Sequence, residues 1–249
     1  MSNSIERVNE QTRDEQVGRG AGGGGTDLTV SPERAVRRAR WAVLVFVIAL
    51  AIYAVLAVLA HRYAYFDWDV RVYHAIRSIP VPGFGHLMIS LSRLGSGIMP
   101  TVLVVGAAVA LMAAGFRLEG IICLIGVSLG GAINSLAKLI IARPRPDISL
   151  VEVMRHYEHN SFPSGHVVFF VEYFGFLLFL SYVLLKPGPL RNALLVLLSL
   201  PIVLIGMSRV YMGAHWPSDT IGAYFAGGIW LALMIEVYRR AKAKRTRQE

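Results

Sequence analysis

The chain has 249 residues, of which 55% are hydrophobic and only 16% charged. A soluble domain holds about a quarter charged residues, so the deficit points to a lipid environment. The net charge of +9 sits at the two ends of the chain rather than on a stripe interleaved with aromatics, which argues against nucleic acid as a partner.

Residues 1–33 are polar and glycine-rich, with Gly20–Gly25 broken only by Ala21, and they cannot bury enough apolar area to offset ordering. They read as a disordered cytoplasmic tail, too long and too polar before the first apolar stretch for an ordinary cleaved signal peptide. Arg34, Arg37, Arg38 and Arg40 follow, and then Trp41–Ala60 carries no charge. About twenty such residues cross the ~30 Å hydrocarbon layer as a helix. The arginines place its start in the cytoplasm.

Residues 61–97 are not spanning material. Asp67 is expected to cap a short helix with Val70, Tyr73, Ile76 and Ile79 on one face, and Pro80 to Gly83 breaks it. A second amphipathic piece aligns Phe84, Leu87, Met88, Leu91 and Leu94; such helices lie in the membrane interface. Further spans are expected at Ile98–Phe116, Gly120–Ala142, His166–Leu185, Leu194–Met207 and Asp219–Val237. The fold class is therefore all-α, a polytopic membrane bundle of six transmembrane helices with short interfacial helices. Its expected parts are the 1–33 tail, a transmembrane domain over 34–240 and a basic cytoplasmic tail over 241–249. By parity, the loops 61–97, 143–165 and 208–219 lie outside. The one cysteine, Cys123, lies in an apolar run and offers no disulfide framework.

Three polar clusters fall on that outer side. Lys138, near the end of the third span, can snorkel, and Pro144 and Pro146 stiffen the exit that carries Arg143 and Arg145. Ser164 can cap the fourth span, Gly165 admits an anion close to the backbone, and His166 stands on the first turn beside that seat. Then Ser208-Arg209 is followed by His215 and, four residues on, by Asp219, within reach one helical turn away. Three cations, a helix N-terminus and two histidines at one membrane face form an inventory for phosphoryl transfer. The remaining loop carboxylates Asp147, Glu152 and Glu158 lack ligand spacing, so no metal and no cofactor is expected. Glu172 is costly inside the fourth span. It is expected to point away from His166 and to bond between helices, with Ser128, Asn134 or Ser135 as its partner.

The pattern Lys138-x6-Arg145-Pro146, Pro163-Ser164-Gly165-His166, Ser208-Arg209-x5-His215-x3-Asp219 resembles the type 2 phosphatidic acid phosphatase family of membrane lipid phosphatases. The resemblance covers residues 138–219 and implies that His215 is the nucleophile forming a phosphohistidine, oriented by Asp219. It implies that His166 protonates the leaving group. Lys138, Arg145, Ser164, Gly165 and Arg209 would bind the phosphate. The implied partners are a lipid phosphate and the bilayer; the short connections and the absence of eukaryotic targeting signals point to a bacterial inner membrane, and the basic ends place both termini in the cytoplasm. The expected activity is hydrolysis of phosphatidic acid, phosphatidylglycerol phosphate or undecaprenyl diphosphate. The same pocket could instead pass phosphate to another lipid, bind vanadate as a soluble relative does, or serve a non-enzymatic lipid transporter.

Overall fold

The computed structural model describes residues 32–155 and 159–246. The expected 1–33 tail, but for its last two residues, and Glu158 lie outside them. The chain divides into two compact units, 1–43 and 44–249. Of the first unit only the opening of helix α1 (Pro32–Arg62) is described.

The described residues are all helical or loop: α2 (Asp67–Arg77), α3 (Phe84–Leu94), α4 (Met99–Ala113), α5 (Arg117–Ile141), α6 (Gly165–Leu184), α7 (Pro189–Tyr211) and α8 (Pro217–Thr246) follow α1. Five helices, α1, α5, α6, α7 and α8, are long and apolar enough to cross a membrane. The expected crossing at 98–116 is shorter. Its helix α4 has 15 residues, about 22 Å at 1.5 Å per residue, and makes a sixth span only when joined to α3, from which it bends by 65°. Gly95 to Gly97 break the helix there, with Gly97 at φ +60°.

Other bounds shift for local reasons. Ser208 and Arg209, expected in a polar break, lie in the last turn of α7 and are buried. Arg117 and Glu119, expected in a turn, open α5. Of the expected basic tail, Lys242, Lys244 and Arg245 lie in α8, which runs to Thr246, and residues 247–249 lie outside the described residues.

Helix α6 is the axis of the bundle, packed against α5, α7 and α8. It is apolar on all sides, as a helix surrounded by helices must be. Val104, Cys123, Val127, Tyr173, Phe176 and Met234 build one core, and Val167, Phe170, Ile205 and Ala223 another nearer the start of α6. At the far end, Glu119 of α5 accepts from Tyr238 (3.0 Å) and Lys242 (2.8 Å) of α8.

The two interfacial helices carry polar groups inward. Phe66 precedes α2, and its N–H donates to Asp69 at 3.1 Å, so Asp69 rather than Asp67 satisfies that helix start. Asp69 and Tyr73 are the buried residues of α2, and Met88 and Ser92 those of α3, whereas Leu87 of the expected apolar face is half exposed.

Candidate active site

The end of α5, the start of α6, the end of α7 and the start of α8 meet at one end of the bundle. There the loop 142–164 is strapped down. Lys138 Nζ donates to the carbonyls of Asn160 (2.7 Å) and Ser161 (3.1 Å), and Asn160 Nδ2 returns a bond to Lys138 O at 2.9 Å. Arg145 spans the loop as well, donating from Nε to His159 O (2.5 Å) and from Nη1 to Ala214 O (2.6 Å). The same Nη1 lies 3.3 Å from Nε2 of His215.

His215 sits between Ala214 and Trp216, just before α8, and is buried. Asp219 is the third residue of α8 and accepts from the Trp216 N–H at 2.9 Å, the return half of a capping box. That bond aims its carboxylate back at the residue before the helix. The direct approach of Asp219 Oδ2 to His215 Nδ1 is 3.6 Å, too long for a hydrogen bond. Ser161 fills the gap, its hydroxyl touching Asp219 Oδ2 and lying 3.3 Å from His215 Nδ1. A hydroxyl has one proton. Given to Asp219, it leaves the Ser161 oxygen to accept from Nδ1–H, so His215 carries its proton on Nδ1 and a bare lone pair on Nε2. Burial, reinforced by the charges of Lys138, Arg145 and Arg209 and by His166, holds the His215 imidazole well below the usual histidine range.

His166 is fixed from α3. Ser96 Oγ donates to Ser92 O (2.8 Å), so its oxygen is the acceptor for His166 Nε2 at 3.0 Å, which puts a proton on that nitrogen. Gly95 makes this approach possible, because a Cβ there would meet His166 Cδ2 at 2.6 Å. One turn earlier, Ser92 Oγ receives Arg209 Nη1. Gly165 begins α6 so close to α5 that a Cβ on it would meet Asn134 Nδ2 at 3.1 Å. Ser164 precedes it, fully buried, but the side-chain cap expected of it is absent; its hydroxyl has no partner among the described residues. The helix start thus keeps a free donor.

Sequence reasoning missed several residues here. Ser92, Ser96 and Ser161 touch the motif side chains, and Asp69 stands behind Asp219, fully buried; Arg143, expected only beside Arg145 at the loop's exit, is buried there with it. The four-residue spacing of Ser92, in the last turn of α3, and Ser96, just beyond it, was the available signal. Glu172 also departs from expectation. It accepts no bond from Ser128, Asn134 or Ser135; its carboxyl packs against Gly130 and lines an apolar cavity of about 140 Å³ together with Asn134. Ser135 instead donates to Gly131 O within its own helix (2.9 Å). Among the described residues no group of three His, Cys, Asp or Glu side chains could hold a metal ion.

Comparison with known proteins follows the same lines. The family model of the PAP2 superfamily matches residues 119–243. Phosphatidylglycerophosphatase B of Bacillus subtilis is 26% identical over 203 residues, which is 79% of this chain and 95% of that protein. A lipid A 1-phosphatase of Rhizobium etli is 33% identical over 121 residues, 46% of this chain and 48% of its own length. The crystal structure of a transmembrane PAP2-type phosphatidylglycerolphosphate phosphatase from Bacillus subtilis shares the fold, with a TM-score of 0.64 and 24% identity over 78% of this chain and 96% of that one. The family model covers half of the sequence, residues 138–219 fall within it, and the helices repeat a solved arrangement: this integral membrane protein belongs to the PAP2 superfamily.

Proposed function

We propose that the protein is a membrane lipid phosphatase that hydrolyses a lipid phosphomonoester or diphosphate through a phosphohistidine at His215. The observation that carries this reading is the placement of the His215 ring, with Nδ1 against the Ser161 hydroxyl and Nε2 against the Arg145 guanidinium. A neutral imidazole with its lone pair beside a guanidinium is a nucleophile next to an anion seat.

In the first step His215 Nε2 attacks phosphorus in line, the P–O bond to the lipid breaks, and the imidazolium of His166, held at Nε2 by Ser96, gives its Nδ1 proton to the departing oxygen. Water then attacks the phosphohistidine, His166 takes its proton, and inorganic phosphate leaves. Lys138, Arg145 and Arg209 offset the phosphate charge, and Ser164 and the N–H groups at the start of α6 donate to its oxygens. These three cations do the work a metal would otherwise do, and no metal enters the mechanism. The relatives named above act on phosphatidylglycerolphosphate and lipid A, which supports a lipid phosphate as substrate. The catalytic domain is residues 34–240. It lies in a bacterial inner membrane with both termini in the cytoplasm and the site on the outer face; the basic residues at both ends of the chain support this orientation.

The test is phosphate release by purified protein across phosphatidic acid, phosphatidylglycerol phosphate and undecaprenyl diphosphate, with His215→Ala as the blank. Release by the wild type and none by a folded His215→Ala supports the reading. Lipid movement that survives in His215→Ala identifies a transporter, and labelled phosphate on a second lipid identifies a transferase.

A further inference from the structure

The motif residues do not account for a second charged group buried behind them. Arg143, two residues before Arg145, is wholly enclosed, and so are both carboxylates it touches. Its Nη1 donates to Asp219 Oδ1 (2.5 Å) and Ser218 Oγ (2.7 Å), its Nη2 to Asp69 Oδ2 (3.2 Å), and its Nε to the carbonyls of Tyr63 (3.3 Å) and Ala64 (3.2 Å). Asp69 in turn accepts from Ser218 N and Ser218 Oγ, each at 2.8 Å. The guanidinium also lies over the Phe66 ring, 5.1 Å from its centroid. Every polar atom in this knot has a partner.

We infer that Arg143, braced by Asp69, is a positioning residue that keeps the Asp219 carboxylate charged and aimed, and so aligns Ser161 and His215. The inference rests on His215 being the nucleophile. Asp219 has two oxygens with separate duties: Oδ2 holds Ser161 and the Trp216 N–H, and Oδ1 is held by Arg143. Rotation of the carboxylate would spoil the Ser161 contact, and Arg143 blocks that rotation. A buried carboxylate without a cation tends to take up a proton. Protonated, it would no longer accept from Ser161, and the proton on His215 Nδ1 would lose its receiver. Only arginine suits the place, because its planar fork meets two carboxylates and two carbonyls at once, whereas an ammonium is a point donor.

A strap holding the α1–α2 loop to the start of α8 would use many of the same bonds, and the test separates the two roles. Full-length protein in detergent micelles is assayed for phosphate release from a short-chain phosphatidic acid. Arg143→Met is expected to lower kcat by about 10²-fold while KM stays within about twofold, because the loss is of alignment and not of substrate binding. Arg143→Lys should recover part of that loss. In an Asp219→Asn background, where no carboxylate remains to be held, Arg143→Met should cost less than about threefold more. An equal cost in both backgrounds, a raised KM with kcat kept, or no effect overturns the inference. Should Arg143→Met fail to fold, Asp69→Asn takes its place in the same cycle: a smaller cost in the Asp219→Asn background supports the positioning role, and an equal cost overturns it. Phosphate release that persists in His215→Ala would instead remove the nucleophile reading on which the inference stands.

Discussion

Asp219 stands 3.6 Å from Nδ1 of His215, and the Ser161 hydroxyl bridges the two. The carboxylate therefore acts on the imidazole through a third side chain, supplied by the loop that Lys138 and Arg145 strap down. A hydrogen bond to a charged group is worth roughly 1.5–3 kcal/mol, so Ser161→Ala should lower kcat by about 10- to 100-fold. Thr at 161 should retain more activity than Ala. Steady-state kinetics of the two variants decides it; an Ala variant as fast as wild type would show that the bridge is idle.

The buried, cation-flanked setting of His215 makes a pH prediction. Its folded-state pKa lies below the ordinary value near 6.5, so the lone pair is available at pH 6 and above. Activity is expected to hold as pH falls through 6.5, and the limb belonging to His215 should appear only further down. Arg145→Gln removes one of the repelling charges and should bring that limb up toward 6.5. The kcat/KM profile measures it, since it reports the free enzyme. Stability follows the same sign. The native state binds fewer protons at this ring than the unfolded chain, so its contribution is present above about 6.5 and fades as pH drops toward the folded value.

Ser96 hands its proton to Ser92 and so receives the one on His166. Ser96→Ala should leave that imidazole free to turn, with a loss of about five- to tenfold in kcat, as for one neutral hydrogen bond of ~1 kcal/mol. A leaving group of low pKa, such as a nitrophenyl phosphate, needs little protonation. With that substrate the variant should match wild type, and a persistent loss would assign Ser96 some other role.

Charge neutralisation by Lys138, Arg145 and Arg209 predicts that chelation leaves the reaction alone. Protein purified in EDTA and assayed in its presence should keep its full rate. Arg209→Lys should lose well over tenfold, because the fork that reaches Ser92 and an anion together is gone. Restoration of an EDTA-treated sample by a divalent cation would refute the first of these.

A methyl group on Gly130 would meet the carboxyl of Glu172, the far end of a flexible side chain that borders a cavity and must shift to make room. Gly130→Ala should destabilise by about 1 kcal/mol, the low end of overpacking costs, because the Glu172 side chain can give way. Adding Glu172→Ala should relieve most of it. Thermal unfolding of the single and double variants in one detergent reads the coupling.

The apolar runs were legible because hydrocarbon imposes one requirement on every spanning residue, and composition alone records it. Crossings at α1, α5, α6, α7 and α8 followed from that rule, and the polar motifs were legible from residue types and spacing. The 15-residue α4 did not, since its bend from α3 depends on glycines and packing that hydropathy does not weigh. The tertiary structure alone decided which polar residues stand behind the motifs. Amphipathic helices read from sequence turn their polar side to water, yet α2 and α3 bury Asp69 and Ser92. The reason is electrostatic: Arg143 and Arg209, carried by distant parts of the chain, are buried cations that require acceptors, and only folding reveals which segment delivers them.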